Sequence, residues 1–383
     1  MARTSVEVNV SPDVIRWVCE RRGTTLEALE AKTKKPLGKW VTGEKRPTIL
    51  QLEQFATSTL TPLGYLLLAE PPDERPPIPH YRSSRELGAW RPSAELLEVE
   101  YAALRRQSWL SDYLAEQDLP RLPFVRSVDT ATPEEETARR MRKTLGIGES
   151  WAKDQRTWEA ALSHLRSRAE RAGIVVSVSG IVGNATQRRL DPEEFQGFVL
   201  IDDYAPLVFI NGQDYKAAQM FTLAHEFAHV WLGESGSFEL RRMQPTASGV
   251  EKYCDRVAAE FLVPAAELRQ AWGELAYLAA PLETAARRFK VSRIVAARRA
   301  LDLDLISRDQ FFAFYKKYRA EGARPSSTGH PESSLLQMYR VGRLVVGAVG
   351  EAVRQGTLSY HEAYELTGAR GPAFGRLVAR VEG

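Results

Sequence analysis

The chain has 383 residues, of which 44% are hydrophobic and 26% are charged, as in an ordinary globular protein. It is too long for one typical core, so we expect two or three domains. The net charge of +3 is too small to indicate nucleic-acid binding, and two cysteines exclude a disulfide framework. We find no secretory signal and no uninterrupted apolar run of membrane length, which predicts a cytoplasmic protein without a membrane partner.

The first 70 residues predict a domain of short helices. Signals for a helix start recur at short intervals, at Ser11-Pro12, Thr24 or Thr25, Pro36, Thr48 and Pro62. Five prolines follow between Glu70 and Pro79, and they cannot continue a helix. We therefore predict a linker over residues 71–92, which separates a domain of residues 1–70 from the rest.

The middle of the chain predicts helices around a small sheet. Apolar residues at three-to-four spacing indicate helices from Ser93 to Ala172, and β-branched residues indicate strands within 173–182 and 195–210. Helices return from Tyr215 onward. The predicted fold class is therefore mainly α with a small β-sheet (α+β), in a domain that covers residues 93–321.

The end of the chain predicts a second linker and a small helical module. The linker is a stretch rich in Gly, Pro, Ser and Thr, residues 322–334, and the module covers residues 335–383.

Two histidines four positions apart form the most informative motif. His225 and His229 lie one turn apart on a predicted helix, so both imidazoles can reach one tetrahedral Zn²⁺ ion. Glu226 follows the first histidine and lies beside the open position of such an ion, where it can take a proton from water. The surrounding residues are apolar, and an unpaired carboxylate among them would be costly without a metal. The motif therefore predicts a zinc peptidase site with Glu226 as its catalytic base.

A catalytic zinc ion needs a third protein ligand, and the next predicted helix offers candidates. Glu251 and Asp255 lie four positions apart, so both point to one face of that helix. Glu251 can ligate the metal while Asp255 accepts a hydrogen bond from the outer nitrogen of a ligating histidine. Glu239 and Glu260 compete for the ligand role, and spacing alone leaves the three glutamates open.

The stretch from Phe221 to Pro264 resembles the ImmA/IrrE family of bacterial metallopeptidases. Its members share F-T-x-A-H-E-x-x-H and, one helix later, E-x-x-C/A-N/D-x-x-A-A-x-x-L-x-P, which here read Phe221 to His229 and Glu251 to Pro264. The resemblance spans about 171–307. It implies a zincin-like fold of the gluzincin type, with Glu251 as the third zinc ligand. It also implies limited proteolysis of one protein target, typically a transcriptional repressor.

The N-terminal helices resemble the Xre/Cro class of helix-turn-helix domains, a common partner of this peptidase domain. Trp40 to Thr48 matches the ending W-x-x-G-x-x-x-P-[ST] of that class. In such a domain the second helix of the motif lies in the major groove of DNA. The cations that could meet phosphates there are Lys34, Lys35, Lys39, Lys45 and Arg46.

The same segment departs from the helix-turn-helix pattern. The distance from Leu29 to Trp40 is 11 positions, about three fewer than is usual in the class, and Pro36 lies in the recognition segment. Residues 1–80 contain 11 Lys and Arg against 10 Asp and Glu, so the domain is not strongly basic. DNA binding and a role in packing or dimer contact are equally compatible with these features, and a homodimer is one arrangement that the sequence permits.

A second segment that resembles a helix-turn-helix covers residues 282–305. Its arginines keep a nucleic-acid role open: Arg287, Arg288, Arg293, Arg298 and Arg299. We favour the alternative, in which these helices support the peptidase domain.

Two functions from different classes follow. The first is a site-specific zinc endopeptidase of a bacterial transcriptional, stress or mobile-element regulatory system, which cleaves a protein partner such as a repressor. The second is a DNA-binding regulator or antitoxin-like protein whose peptidase fold binds a toxin-like partner. Glu226 favours the first, because a pure binding scaffold gains nothing from a general base.

Overall fold

The structure, a computed structural model, describes residues 6–74, 78, 92–234, 236–238, 249–321 and 333–382. These residues are mostly helical with a small sheet, so the predicted α+β class is confirmed. They form two compact units, and the main division falls between Tyr101 and Ala102. Within the described part of the chain, no helix is long and apolar enough to cross a membrane.

The predicted linkers fall largely outside the described residues: 75–77 and 79–91 of the first linker, and 322–332 of the second. The predicted domain boundaries therefore stay predictions.

The first unit is built from short helices around a small core. It contains α1 (Pro12–Arg21), α2 (Leu26–Thr33), α3 (Leu37–Val41), α4 (Ile49–Thr59), α5 (Leu63–Leu66) and the beginning of α6 (Ala94–Glu116). Predicted caps are present: the Thr25 hydroxyl accepts a hydrogen bond from the Ala28 N–H, and Thr48 and Gln51 form a reciprocal capping box. Trp40 packs edge-on against Phe55, with ring centroids 5.8 Å apart, and ties α3 to α4.

The second unit contains the rest of α6 and all of the later helices and strands. The helices before and around the sheet are α7 (Glu134–Leu145), α8 (Trp158–Arg171), α9 (Lys216–Leu232) and α10 (Gly249–Leu262). Those after the sheet are α11 (Ala265–Leu275), α12 (Pro281–Phe289), α13 (Arg293–Asp302), α14 (Arg308–Glu321), α15 (Ser333–Val341), α16 (Arg343–Arg354), α17 (Tyr360–Thr367) and α18 (Pro372–Glu382).

The strands form one mixed sheet and one hairpin. They are β1 (Val175–Ser179), β2 (Ile181–Val182), β3 (Ala185–Arg189), β4 (Gly197–Leu200), β5 (Leu207–Asn211) and β6 (Gly236–Phe238). The sheet has the order β1-β5-β4-β6, in which β1 runs parallel to β5 and the other neighbours are antiparallel. Strands β4 and β5 are buried throughout, and α9 packs against both, so the sheet holds the central helix in place.

Helices α15 and α16 pack against β1 at the edge of the sheet, and α17 and α18 pack against α15 and α16. The Ser177 hydroxyl on β1 donates a hydrogen bond to the Arg340 carbonyl, and the Arg343 N–H donates to the Glu170 carboxylate at 2.6 Å. Between α15 and α16 the chain turns at Gly342, which has a φ of 95°. A Cβ there would lie 2.8 Å from Val175 Cγ1, so only glycine allows this close approach.

Candidate metal centre

Helix α9 carries the two histidines and lies in the core. All of its residues from Gln219 to Trp231 are buried, so the helix is covered on every side. Its entry is held by the Gln219 amide, which donates to the Asp214 carbonyl at 2.6 Å. Gly233 ends the helix in the left-handed region, with a φ of 82°. A polar side chain on such a helix needs a partner in the protein or a bound ligand.

Helix α10 packs against α9 through a face with three-to-four spacing. Cys254, Val257, Ala258 and Phe261 are completely buried on that face. Glu251 lies at its start and is 3% exposed, so the packing carries this carboxylate into the core toward the histidines. The sequence left Glu239 and Glu260 as alternatives. Glu239 lies outside the described residues.

Glu260 has a structural role instead. Its carboxylate forms an ion pair with Arg299 of α13 and accepts a hydrogen bond from the Ala265 N–H. Arg299 also donates to the Val263 carbonyl at 2.9 Å. This buried pair joins α10 to α13, so Glu260 is engaged away from the histidines.

His225, His229 and Glu251 converge on one point. The Nε2 atoms of the two histidines are 3.1 Å apart. Glu251 Oε2 lies 3.2 Å from His225 Nε2, and Glu251 Oε1 lies 3.3 Å from His229 Nε2. Ligand atoms at zinc–ligand distances of 2.0–2.1 Å in a tetrahedral site are separated by about 3.3 Å. The three side chains therefore fit a metal ion, and they are the buried group in the described residues that could hold one.

The charges within this cluster favour a cation. Burial opposes protonation of His225, but the Asp255 and Glu251 carboxylates outweigh it and raise the pKa of His225 to about 10. Burial lowers the pKa of His229, which keeps that imidazole neutral, the form that ligates metals. Burial acts to raise the pKa of Glu251, yet hydrogen bonds from both histidines lower it. The carboxylates that attract a proton here would equally attract a divalent cation.

Asp255 lies one turn after Glu251 and contacts the outer side of His225. Its Oδ1 atom is 3.1 Å from His225 Nδ1. In the tautomer that carries its proton on Nδ1, His225 donates a hydrogen bond to Asp255, and Nε2 presents its lone pair to the cluster. This is the arrangement expected around a metal-ligating histidine. The Asp255 side chain is 45% exposed, so the contact lies at the edge of the site.

Glu226 is buried beside the cluster without a hydrogen-bond partner. The residue is fully inaccessible, and neither carboxylate oxygen accepts a hydrogen bond from the described residues. Burial raises the pKa of Glu226 well above its ordinary value. An orphaned carboxylate of this kind is costly, and it is a mark of a site that works on a ligand rather than of a packed core.

Gly197 of β4 faces Glu226, a contact that the sequence analysis did not identify. A Cβ at this position would lie 2.6 Å from Thr222 Cγ2 and 3.2 Å from Glu226 Oε1. The strand therefore crosses α9 closely at the level of Glu226. No local signal in the sequence marks this, because the approach depends on how β4 pairs with β5.

The five cations proposed for DNA contact lie in the first unit. Lys34 ends α2 in the left-handed region, Lys39 is on α3, and Lys45 and Arg46 follow α3; all four are exposed, and Lys35 is half-buried. Lys39 forms an exposed ion pair with Glu44 at 2.8 Å, and Lys35 donates to the Gln54 side chain. Helix α3 has only five residues, so few side chains extend from it.

The second segment resembling a helix-turn-helix corresponds to α12 and α13. Besides the buried Arg299, Arg293 pairs with Glu283 at 3.3 Å and lies over the Tyr318 ring, and Arg298 pairs with Asp302 at 2.9 Å. These contacts favour the supporting role of the segment.

One family model matches the part of the chain that contains this site. The family model described as the IrrE N-terminal-like domain, Peptidase M78, matches residues 169–301. That segment contains the metal cluster, Glu226 and Asp255, and it supports the resemblance to the ImmA/IrrE family and to metallopeptidases. It covers less than half of the chain and does not include residues 1–70. No curated protein and no solved structure gives a significant match to the chain.

Proposed function

We propose that this protein is a zinc-dependent endopeptidase that cleaves a protein partner at a specific site. The observation that carries the proposal is the buried convergence of His225, His229 and Glu251 beside the unpartnered carboxylate of Glu226. A structural metal site would have no use for that carboxylate, whereas hydrolysis needs a general base.

The residues take different roles in this proposal. His225, His229 and Glu251 would hold the ion. A bound zinc ion would act as a Lewis acid that polarises a carbonyl and lowers the pKa of water. Glu226 accepts the proton of the attacking water and passes it to the amine that leaves. Asp255 fixes the tautomer of His225 through Nδ1.

The proposed substrate is a protein of a regulatory system, such as a transcriptional repressor. The likeness of residues 169–301 to the IrrE N-terminal-like domain supports this choice.

A second proposal concerns the first unit. Exposed cations from Lys34 to Arg46 support contact with DNA phosphates, in a regulator whose peptidase-like part binds a toxin-like partner. In that case Glu226 would be dispensable for function.

A cleavage survey in cells tests the first proposal. The wild-type protein and the Glu226→Gln variant would be expressed in cells that contain the partner, and new protein N-termini would be mapped by labelling and mass spectrometry. We expect a small set of new termini with the wild type and none with Glu226→Gln, which should instead co-purify with the uncut partner.

The matched control is Glu274→Gln, which changes an exposed glutamate on α11. It should give the wild-type set of termini. The same termini with Glu226→Gln would refute the peptidase proposal, and a partner held equally by both forms without cleavage would support the binding role.

A further inference from the structure

The second unit contains a cavity of about 770 Å³ that shares no residue with the metal cluster. It lies between the later part of α6, the end of α8 and the beginning of α16, with Val381 of α18 at one side. Its apolar wall is formed mainly by leucines: Leu110, Leu114, Leu119, Leu122 and Leu344. A volume of this size lies in the range of small-molecule sites, roughly 300–1,000 Å³.

Two guanidinium groups belong to the same lining. Arg171 is exposed at the end of α8, and Arg343 is exposed at the beginning of α16. The Arg343 guanidinium donates to the Val381 carbonyl, so the carbonyl end of α18 steadies it without neutralising its charge. Two cations at an apolar cavity are complementary to one anionic group.

The one carboxylate of the lining is already engaged. Glu170 is 7% exposed, and its Oε1 atom accepts a hydrogen bond from the Arg343 N–H at 2.6 Å. The buried guanidinium of Arg166 attracts the same carboxylate. The charge of Arg343 also acts on this carboxylate, after that of Arg166, so Glu170 offsets part of the positive charge of Arg343. Arg171 is the other cation of the lining.

We propose that this cavity binds an amphipathic carboxylate, a fatty-acyl chain whose head group meets Arg171 and Arg343 while its chain lies against the leucines. The apolar wall would contribute most of the affinity, with up to about fourfold tighter binding for each added methylene. The two guanidinium groups would make the site prefer a negatively charged head group over a positively charged one. This site is independent of the proposed peptidase reaction.

Titration calorimetry of the full chain with dodecanoate tests the proposal. Dodecyltrimethylammonium, with the same chain and the opposite charge, serves as the matched ligand. We expect one saturable site for dodecanoate, weaker binding of octanoate and no saturable binding of the cation. Arg171→Gln and Arg343→Gln should each weaken dodecanoate binding by about tenfold, because each removes one charge-assisted contact.

Two further variants locate the site. Ala348→Phe places a ring in the lining of the cavity and should abolish binding, whereas Arg376→Gln, an exposed arginine of α18 outside the lining, should leave it unchanged. Zinc content and circular dichroism equal to the parent would show that each variant is folded with its metal cluster intact. If Ala348→Phe does not fold, the double variant Arg171→Gln/Arg343→Gln replaces it, and this variant should bind dodecanoate more weakly than either single variant.

Several results would overturn the proposal. They are no saturable binding of dodecanoate, equal binding of the anionic and cationic ligands, or undiminished binding to a folded Ala348→Phe variant. A loss of dodecanoate binding in Arg376→Gln as large as that in Arg343→Gln would also do so, because it would indicate general surface charge.

Discussion

Two groups of ionisable side chains in this protein differ in burial. His225, His229 and Glu251 are almost fully buried, whereas the cations from Lys34 to Arg46 are mostly exposed. Taking a charged group out of water costs several kcal/mol unless a partner compensates it, so the buried group needs a compensating partner such as a bound cation. An exposed lysine carries no such cost. Sequence patterns are therefore informative about the first group and much less so about the second.

The largest effect is expected for the metal ligands. The purified protein should hold about one zinc ion per chain, and His225→Ala, His229→Ala or Glu251→Ala should each lose most of it, because three protein ligands hold a catalytic zinc. Elemental analysis after dialysis measures this, with Glu274→Ala as the control for loss of an exposed carboxylate. Full occupancy in Glu251→Ala would move the ligand role to Glu239, since Glu260 pairs with Arg299.

The next effect concerns catalysis. Glu226→Gln should keep the zinc but lower the rate of peptide cleavage by about 10²–10⁴-fold, because an amide cannot accept the proton of water. The rate is measured on the partner identified by the cleavage survey, with Glu274→Gln as the control. Cleavage by Glu226→Gln at the wild-type rate would contradict the role of the base.

A pair of arginines on α13 compares buried with exposed charge directly. Arg299→Ala should lower the free energy of unfolding by about 1–3 kcal/mol, because the largely buried Glu260 carboxylate loses its ion pair and keeps only the hydrogen bond from the Ala265 N–H. Arg298→Ala removes an exposed pair with Asp302 and should cost about 0.5 kcal/mol or less. Denaturant titration of both variants measures the difference. Equal, small losses of unfolding free energy in both variants would mean that the pair of Arg299 with Glu260 does not stabilise the packing of α13 against α10.

A smaller effect is expected at Asp255. Asp255→Ala should weaken zinc affinity by about 10–100-fold without eliminating binding, because the carboxylate orients His225 but does not ligate the ion. Competition with a chelator of known affinity gives the value. An affinity equal to that of the parent would remove Asp255 from this role.

The smallest effect is expected for the exposed cations. If the first unit binds DNA, its contacts are mostly to phosphate, so binding should be weak, salt-dependent and poorly selective. Lys35→Ala and Lys39→Ala should each flatten the dependence of log affinity on log salt by about one unit. Lys39 is paired with Glu44, so we expect its effect to be the smaller.

Gel shifts at two salt concentrations, with specific and scrambled competitors, measure this dependence. Tight, competitor-resistant binding to one operator would show that the short α3 still reads bases. No binding at low salt would leave the first unit as a protein-contact module.

Part of this site could be predicted because it depends on local periodicity. A four-residue spacing places His225 and His229 on one helix face, and the same spacing places Glu251 beside Asp255. The α+β class followed from patterns of the same local kind.

Features that depend on non-local packing could not be predicted. Strands β3 and β6 were missed because their stability comes from pairing partners distant in sequence. The pair of Glu260 with Arg299 joins residues 39 positions apart, and Gly197 approaches Glu226 only because β4 pairs with β5. The place of the last helices beside β1 likewise has no signal in the sequence.

X-ray absorption spectroscopy of the zinc-loaded protein tests the central claim most directly. The account predicts nitrogen and oxygen neighbours at about 2.0–2.2 Å, with the signature of two imidazoles and no sulfur at about 2.3 Å. Glu226→Gln should give the same spectrum, and Glu251→Ala, loaded with excess zinc, should not. A sulfur neighbour, which would bring in Cys254, or a spectrum unchanged by Glu251→Ala would contradict the account.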